Sequence, residues 1–139
     1  MNLHEYQAKA LFQQYGIPVP RFSVIDQAAQ ATTTATELGG KRWVAKAQVH
    51  AGGRGKAGGV RVIEDMHELE GFASQLIGSR LVTHQTGVEG QPIHQVLIEQ
   101  PCDIERELYL FYLFFYLNIP DVIFCLLKAQ DSFIITHYY

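Results

Sequence analysis

Five glycines, Gly52, Gly53, Gly55, Gly58 and Gly59, fall within eight residues of VAKAQVHAGGRGKAGGVRV, with Arg54 and Lys56 among them. Backbone without a Cβ can bring its N–H groups close to an anion, and the two cations add positive charge at the same place. The chemistry this stretch suits is anion binding, with phosphate the natural class. Lys46 stands seven residues before Gly53 on an incoming strand, so a hairpin bend can carry its ammonium beneath a glycine flap to the same phosphate chain. The other reading of Lys46 is a solvated lysine on an exposed strand face, because lysine is seldom buried. For Arg54 and Lys56 the plain alternative is a charged loop tip in water. His50 has no carboxylate nearby in sequence to orient it, so packing or hydrogen bonding is expected of it rather than phosphate transfer.

The segment Gly53 to Gly58 matches GxGxxG, but it runs into the strand-like VRVI instead of opening a helix, which argues against a dinucleotide-binding βαβ unit. Ala57 follows Lys56 where a Walker loop needs Ser or Thr to reach magnesium. Strand, glycine flap, strand instead resembles the phosphate-covering hairpin of kinases and ATP-grasp enzymes. Glu99 closes the apolar VLIE before Gln100 and Pro101. From there a hinge can offer backbone groups and a carboxylate to a nucleobase or ribose, the alternative being a solvated strand end. Glu107, within ERELYL, either faces the same cleft and balances a lysine or sits exposed on an edge strand. The histidines at 4, 50, 67, 84, 94 and 137 lack metal-binding spacing, and Cys102 and Cys125 form no CxxC pair, so neither a zinc site nor a disulfide framework is expected.

These groups need elements to hold them. Periodicity predicts a helix from Leu3 to Tyr15, capped by Asn2 with Glu5 three residues on, its apolar stripe formed by Ala8, Leu11, Phe12 and Tyr15. Gly16 supplies a left-handed stop, and Pro18 and Pro20 lead into a strand at Arg21 to Ile25. Asp26 is the expected cap of a second helix carrying Ala28, Ala31, Ala35 and Leu38 and ending at Gly39. Alternation over Trp43 to Val49 predicts a strand whose Lys46 points away from its more apolar side. A strand at Val60 to Ile63 follows, then a helix capped by Asp65 with Leu69, Phe72, Ala73 and Leu76 on one face, closed by Gly78. Strands are expected at Arg80 to Gln85, Gln95 to Glu99 and Glu105 to Leu110. The alternation of strands and helices predicts an α+β (mixed α/β) lobe.

At 139 residues and 47% apolar content the chain fits one globular domain. A formal charge of -3 gives no broad attraction to nucleic acid or anionic membrane, so phosphate binding has to be local. A single GGRGKAGG in an acidic chain makes a poor RNA-binding module. Composition shifts after Leu110: residues 111 to 139 hold nine of sixteen aromatics, with only Asp121, Lys128 and Asp131 charged. Asn118, Pro120 and Asp121 interrupt its apolar run, which argues against a membrane span. The domain reading is therefore a nucleotide-binding part over 1–110 and an aberrant aromatic-rich tail over 111–139. The start, MNLHEYQAKALF, lacks signal-peptide and transit-peptide character, so a cytoplasmic location is expected.

MNLHEYQAK, QVHAGGRGKAGGV, GSRLVTHQT and DIERELYL, in order from Met1 to about Leu110, together resemble the beta subunit of the ADP-forming succinate–CoA ligase, with the malate–CoA ligase a close relative. The resemblance implies the first lobe of an ATP-grasp fold with ATP and magnesium as cofactors. It implies Lys46 and the Gly53-Arg54-Gly55 flap at the phosphates, Glu99 at the base-binding hinge, and Glu107 in the cleft. Cys102 stands where the family pattern usually has Thr, so a backbone contact can survive there while a hydroxyl contact cannot. The family's partner is an alpha subunit that carries a phosphohistidine and the CoA site. Its magnesium-binding Asn and Asp and its CoA-ligase domain lie beyond the stretch matched here, so the chain is expected to be inactive alone.

Overall fold

The computed structural model describes residues 3–104 and the backbone of three strands at 109–113, 123–129 and 132–138. The chain divides into two units, Met1–Cys102 and Asp103–Tyr139.

The first unit is built on a four-stranded antiparallel sheet in the order β1 (Phe22–Ile25), β6 (Val96–Glu99), β2 (Trp43–Ala47), β3 (Val60–Ile63). Strand β6 lies between two neighbours and is buried along its whole length, as its apolar VLI requires. Alternation in β2 puts Trp43, Ala45 and Ala47 in the core and leaves Val44 and Lys46 on the opposite face, as the sequence predicts. The core face packs with Ala31, Ala35 and Leu38 of α2 (Ala31–Leu38) and with Leu69, Phe72, Ala73 and Leu76 of α3 (Met66–Leu76). Helix α3 follows its predicted cap, with the Asp65 carboxylate accepting from the Glu68 N–H at 2.8 Å.

Local expectations are corrected in three elements. Helix α1 (Glu5–Gln14) starts after His4, whose N–H donates to Gln7 Oε1 at 2.9 Å, so Gln7 rather than Glu5 closes the first turn. Its apolar stripe is not buried: Leu11 is 40%, Phe12 47% and Tyr15 81% exposed. Asp26 does not cap the second helix. A single 3-10 turn, Ala28–Gln30, intervenes, and Gln30 Oε1 accepts from the N–H groups of Asp26 and Gln27. The predicted strand Arg80 to Gln85 shrinks to β4 (Arg80–Leu81), paired with β5 (Gln91–Pro92). Beyond Leu81, the Thr86 hydroxyl accepts from the Thr83 N–H and the Thr83 hydroxyl from the Gln85 N–H, folding the backbone into a turn.

In the second unit β7 (Tyr109–Leu113), β8 (Ile123–Ala129) and β9 (Ser132–Tyr138) form an antiparallel meander. Residues 105–108, where the strand from Glu105 was expected to begin and where Glu107 falls, lie outside the described residues. Among the described residues no helix is long and apolar enough to cross a membrane.

Candidate functional site

The polar face of β2 carries the site. Alternation turns Lys46 away from the core, and α1 lies within its reach. The Lys46 ammonium stands 2.9 Å from Glu5 Oε1 and 2.6 Å from Glu99 Oε1. Glu99 is presented by β6, antiparallel to β2 and paired at Val44, and is 5% exposed. Its other carboxylate oxygen takes Lys9 of α1 at 2.5 Å. Neither the solvated-lysine reading of position 46 nor the solvated strand end at position 99 survives. The Glu99 carboxylate is already committed to two lysines, and its backbone is paired with Phe22 on one side and Val44 on the other.

The glycine stretch joins β2 to β3 as a compact turn. The Ala57 N–H donates to Gly53 O, Gly59 to Arg54 O, and Ala47 to Gly59 O at 2.8 Å, so the loop closes back on the end of β2. Gly53 has φ +75, and a Cβ there would stand 2.6 Å from His84 Nδ1; one at Gly59 would stand 2.8 Å from Leu81. The glycines therefore also make room for the segment that follows β4. The Gly52 N–H is held by Gln85 Oε1 at 2.6 Å. Among the described residues, the N–H groups of Gly53, Arg54 and Gly55 carry no hydrogen bond.

Arg54 is no loop tip. Its guanidinium folds inward, one Nη donating to Ala47 O at 2.7 Å and the other to Glu5 Oε2 at 2.5 Å. Lys56, two residues on, is exposed. A flap arginine and a strand lysine thus converge on a single carboxylate.

Electrostatics follow from that convergence. Burial alone would raise the Glu5 pKa, but hydrogen bonds from Arg54 and Lys46 outweigh it and hold the carboxyl below its ordinary value. For Lys46, burial pulls the pKa down, yet Glu99 and Glu5 more than compensate and the ammonium is held above its ordinary value. Among the described residues three cations, Lys9, Lys46 and Arg54, meet two carboxylates, Glu5 and Glu99, an excess of one positive charge.

Of the residues singled out from sequence, the structure brings together Lys46, Arg54 with its neighbours Gly53 and Gly55, and Glu99. Cys102 is a free, exposed thiol beyond β6 and takes no part in this network. His50 stacks on His4 with ring centroids 3.8 Å apart, the packing role expected of it. The His4 pKa is lowered by burial and by the nearby His50 and Arg54 charges. Sequence reasoning missed Glu5, Lys9 and Gln48. Gln48 is a buried staple, accepting from the Tyr6 N–H and donating to Lys46 O. The available signal was the spacing of Glu5 and Lys9 on one helix face. Among the described residues no group of three or more His, Cys, Asp or Glu side chains could hold a metal ion, and both carboxylates of the cluster are occupied by cations.

The chain is similar to known proteins. Succinate–CoA ligase (ADP-forming) subunit beta of Alkalilimnicola ehrlichii is 61% identical over 110 residues, which cover 79% of this chain and 28% of that protein. The same subunit of Halorhodospira halophila is 60% identical with the same coverage. The chain therefore spans 28% of the length of these curated relatives. In fold it is similar to the dinucleotide forming acetyl-coenzyme A synthetase 1 of Ca. Korarchaeum cryptofilum. The form in complex with coenzyme A, Ca-AMPCP and HgCl+ gives a TM-score of 0.69 at 21% identity, over 94% of this chain and 55% of that one. The form with coenzyme A, acetyl-coenzyme A and a phosphorylated phosphohistidine segment gives a TM-score of 0.64 at the same identity, over 94% of this chain and 54% of that one. The family model of the ATP-grasp domain matches residues 2–116, so the chain belongs to the ATP-grasp family.

Proposed function

We propose that this chain is the ATP-binding part of a succinate–CoA ligase beta subunit, corresponding to the start of its ATP-grasp domain. The observation that carries the reading is the meeting of Lys46 and Arg54 on one carboxylate, 2.9 and 2.5 Å from its two oxygens. Two fixed cations, one from the strand and one from the flap, suit an anion with several oxygens, and a polyphosphate is such an anion. The N–H groups of Gly53, Arg54 and Gly55 point the same chemistry at the flap. Glu99 stands at the hinge at the end of β6, its side chain serving as counter-ion to Lys46 and Lys9. Cys102 and Glu107 complete the proposed nucleotide set, Cys102 through its backbone.

Bound ATP supplies the transferable phosphoryl group; this chain's residues hold and orient the phosphates. The magnesium that accompanies ATP takes its ligands from outside the described residues. The reaction, ligation of succinate to CoA with an alpha subunit bearing the phosphohistidine, needs that partner and the remaining length of the subunit. Nucleotide binding is the step proposed for the residues of this chain.

Calorimetric titration with ATP tests this reading. Lys46→Ala is expected to weaken binding by about 1.5–3 kcal/mol, the range for a charge-assisted hydrogen bond. Equal affinity in a folded Lys46→Ala protein removes the lysine from the site, and no ATP binding by the parent chain refutes the reading altogether.

A further inference from the structure

Helix α1 buries no residue, yet it lies against the polar face of the sheet. What holds it there is mostly polar: Glu5 to Lys46 and Arg54, Lys9 to Glu99, the Tyr6 N–H to Gln48 Oε1, and the stack of His4 on His50. The strongest of these ties uses the same two cations that a polyphosphate would need.

We infer that Glu5 is a built-in surrogate for phosphate: its carboxylate bridges Lys46 and Arg54 until nucleotide displaces it, and the displacement unlatches α1 from the sheet. The inference rests on the nucleotide-binding reading of this site. Four considerations support it. The Glu5 oxygens divide between strand and flap, Oε1 to Lys46 and Oε2 to Arg54, as two oxygens of one phosphate would. A phosphate drawn to those cations arrives beside a carboxylate of like charge, and one of the two anions has to leave. Glu99 is not the one to leave, because its side chain is 6% exposed against 21% for Glu5 and is carried by a strand paired on both sides. Glu5 sits in the first turn of a helix that fully buries no residue, so moving it costs less packing than moving α2 or α3.

Two measurements on the full chain test the inference. In hydrogen exchange with and without ATP, residues 52–59 are expected to become protected while α1 amides exchange faster, the reverse of ordinary ligand protection. In titration, Glu5→Gln is expected to bind ATP about tenfold more tightly than the parent, the scale of one charge-assisted contact released from competition. Glu68→Gln, which removes only the exposed pair with Arg61 at 3.6 Å, is expected to leave affinity unchanged. If the parent binds ATP but α1 becomes protected, or folded Glu5→Gln binds no more tightly, the surrogate role is overturned and the nucleotide site stands. If Glu5→Gln does not fold, the exchange experiment on the parent decides alone. If neither protein binds ATP, both readings fall.

Discussion

On one face of β2, Trp43, Ala45 and Ala47 join the apolar residues of α2 and α3 in a single core, whereas on the other Lys46 meets α1 through ion pairs. The same five-residue strand thus anchors its helices by two different forces. Hydrocarbon burial is non-directional and indifferent to protonation, and at roughly 25 cal/mol per Å² it sets the stability of the lobe. The ionic side is directional, depends on pH, and can exchange its partners for a ligand's oxygens. A phosphate site needs cations held in place but open to exchange, and the second face provides that while the first keeps the frame rigid.

The comparison breaks most visibly in the core. Phe72→Ala, at a side chain 3% exposed, is expected to cost about 3–5 kcal/mol of stability in urea unfolding. A loss of less than about 1 kcal/mol would mean that the apolar face does not dominate. The ionic face is probed by acid. Glu5 has its folded pKa below the ordinary 4.5, so its contribution is complete above that value and is lost as pH falls through the folded value. Lys46 has its folded pKa above the ordinary 10.5, so its contribution is complete below 10.5 and is lost as pH rises through the folded value. Acidification is therefore expected to free α1 amides at a higher pH than those of β2 and α3. Loss of all three in one transition would show that the two faces are not separable. The smallest effect is expected from Asp65→Ala, which deletes a polar cap on the apolar side. It should cost about 1 kcal/mol while α3 stays docked by its buried face.

Much of this was legible in the sequence, and the failures have physical causes. Asp65 and the spacing of Leu69, Phe72, Ala73 and Leu76 specify α3 because cap and buried stripe are both local. The alternation of β2 correctly turns Lys46 from the core for the same reason. The stripe of α1 misled, since periodicity reports a face suited to burial and not whether anything covers it. Arg80 to Gln85 looked like a strand until the Thr83 and Thr86 hydroxyls captured the backbone locally. Glu5 escaped notice because its partners lie forty-one and forty-nine residues away, a separation no motif spans. The inward fold of Arg54 was invisible likewise, as a loop arginine reads as solvated until its carboxylate is found.

The lone tryptophan of the chain occupies the buried side of β2, 2% exposed, its indole N–H given to the Gly39 carbonyl at 3.0 Å. It is three positions along from Lys46 but on the other side of the backbone. Its emission will therefore follow melting of the lobe faithfully and stay nearly silent when a ligand arrives. Anyone watching for binding by intrinsic fluorescence would need to install an optical label on the flap or on α1.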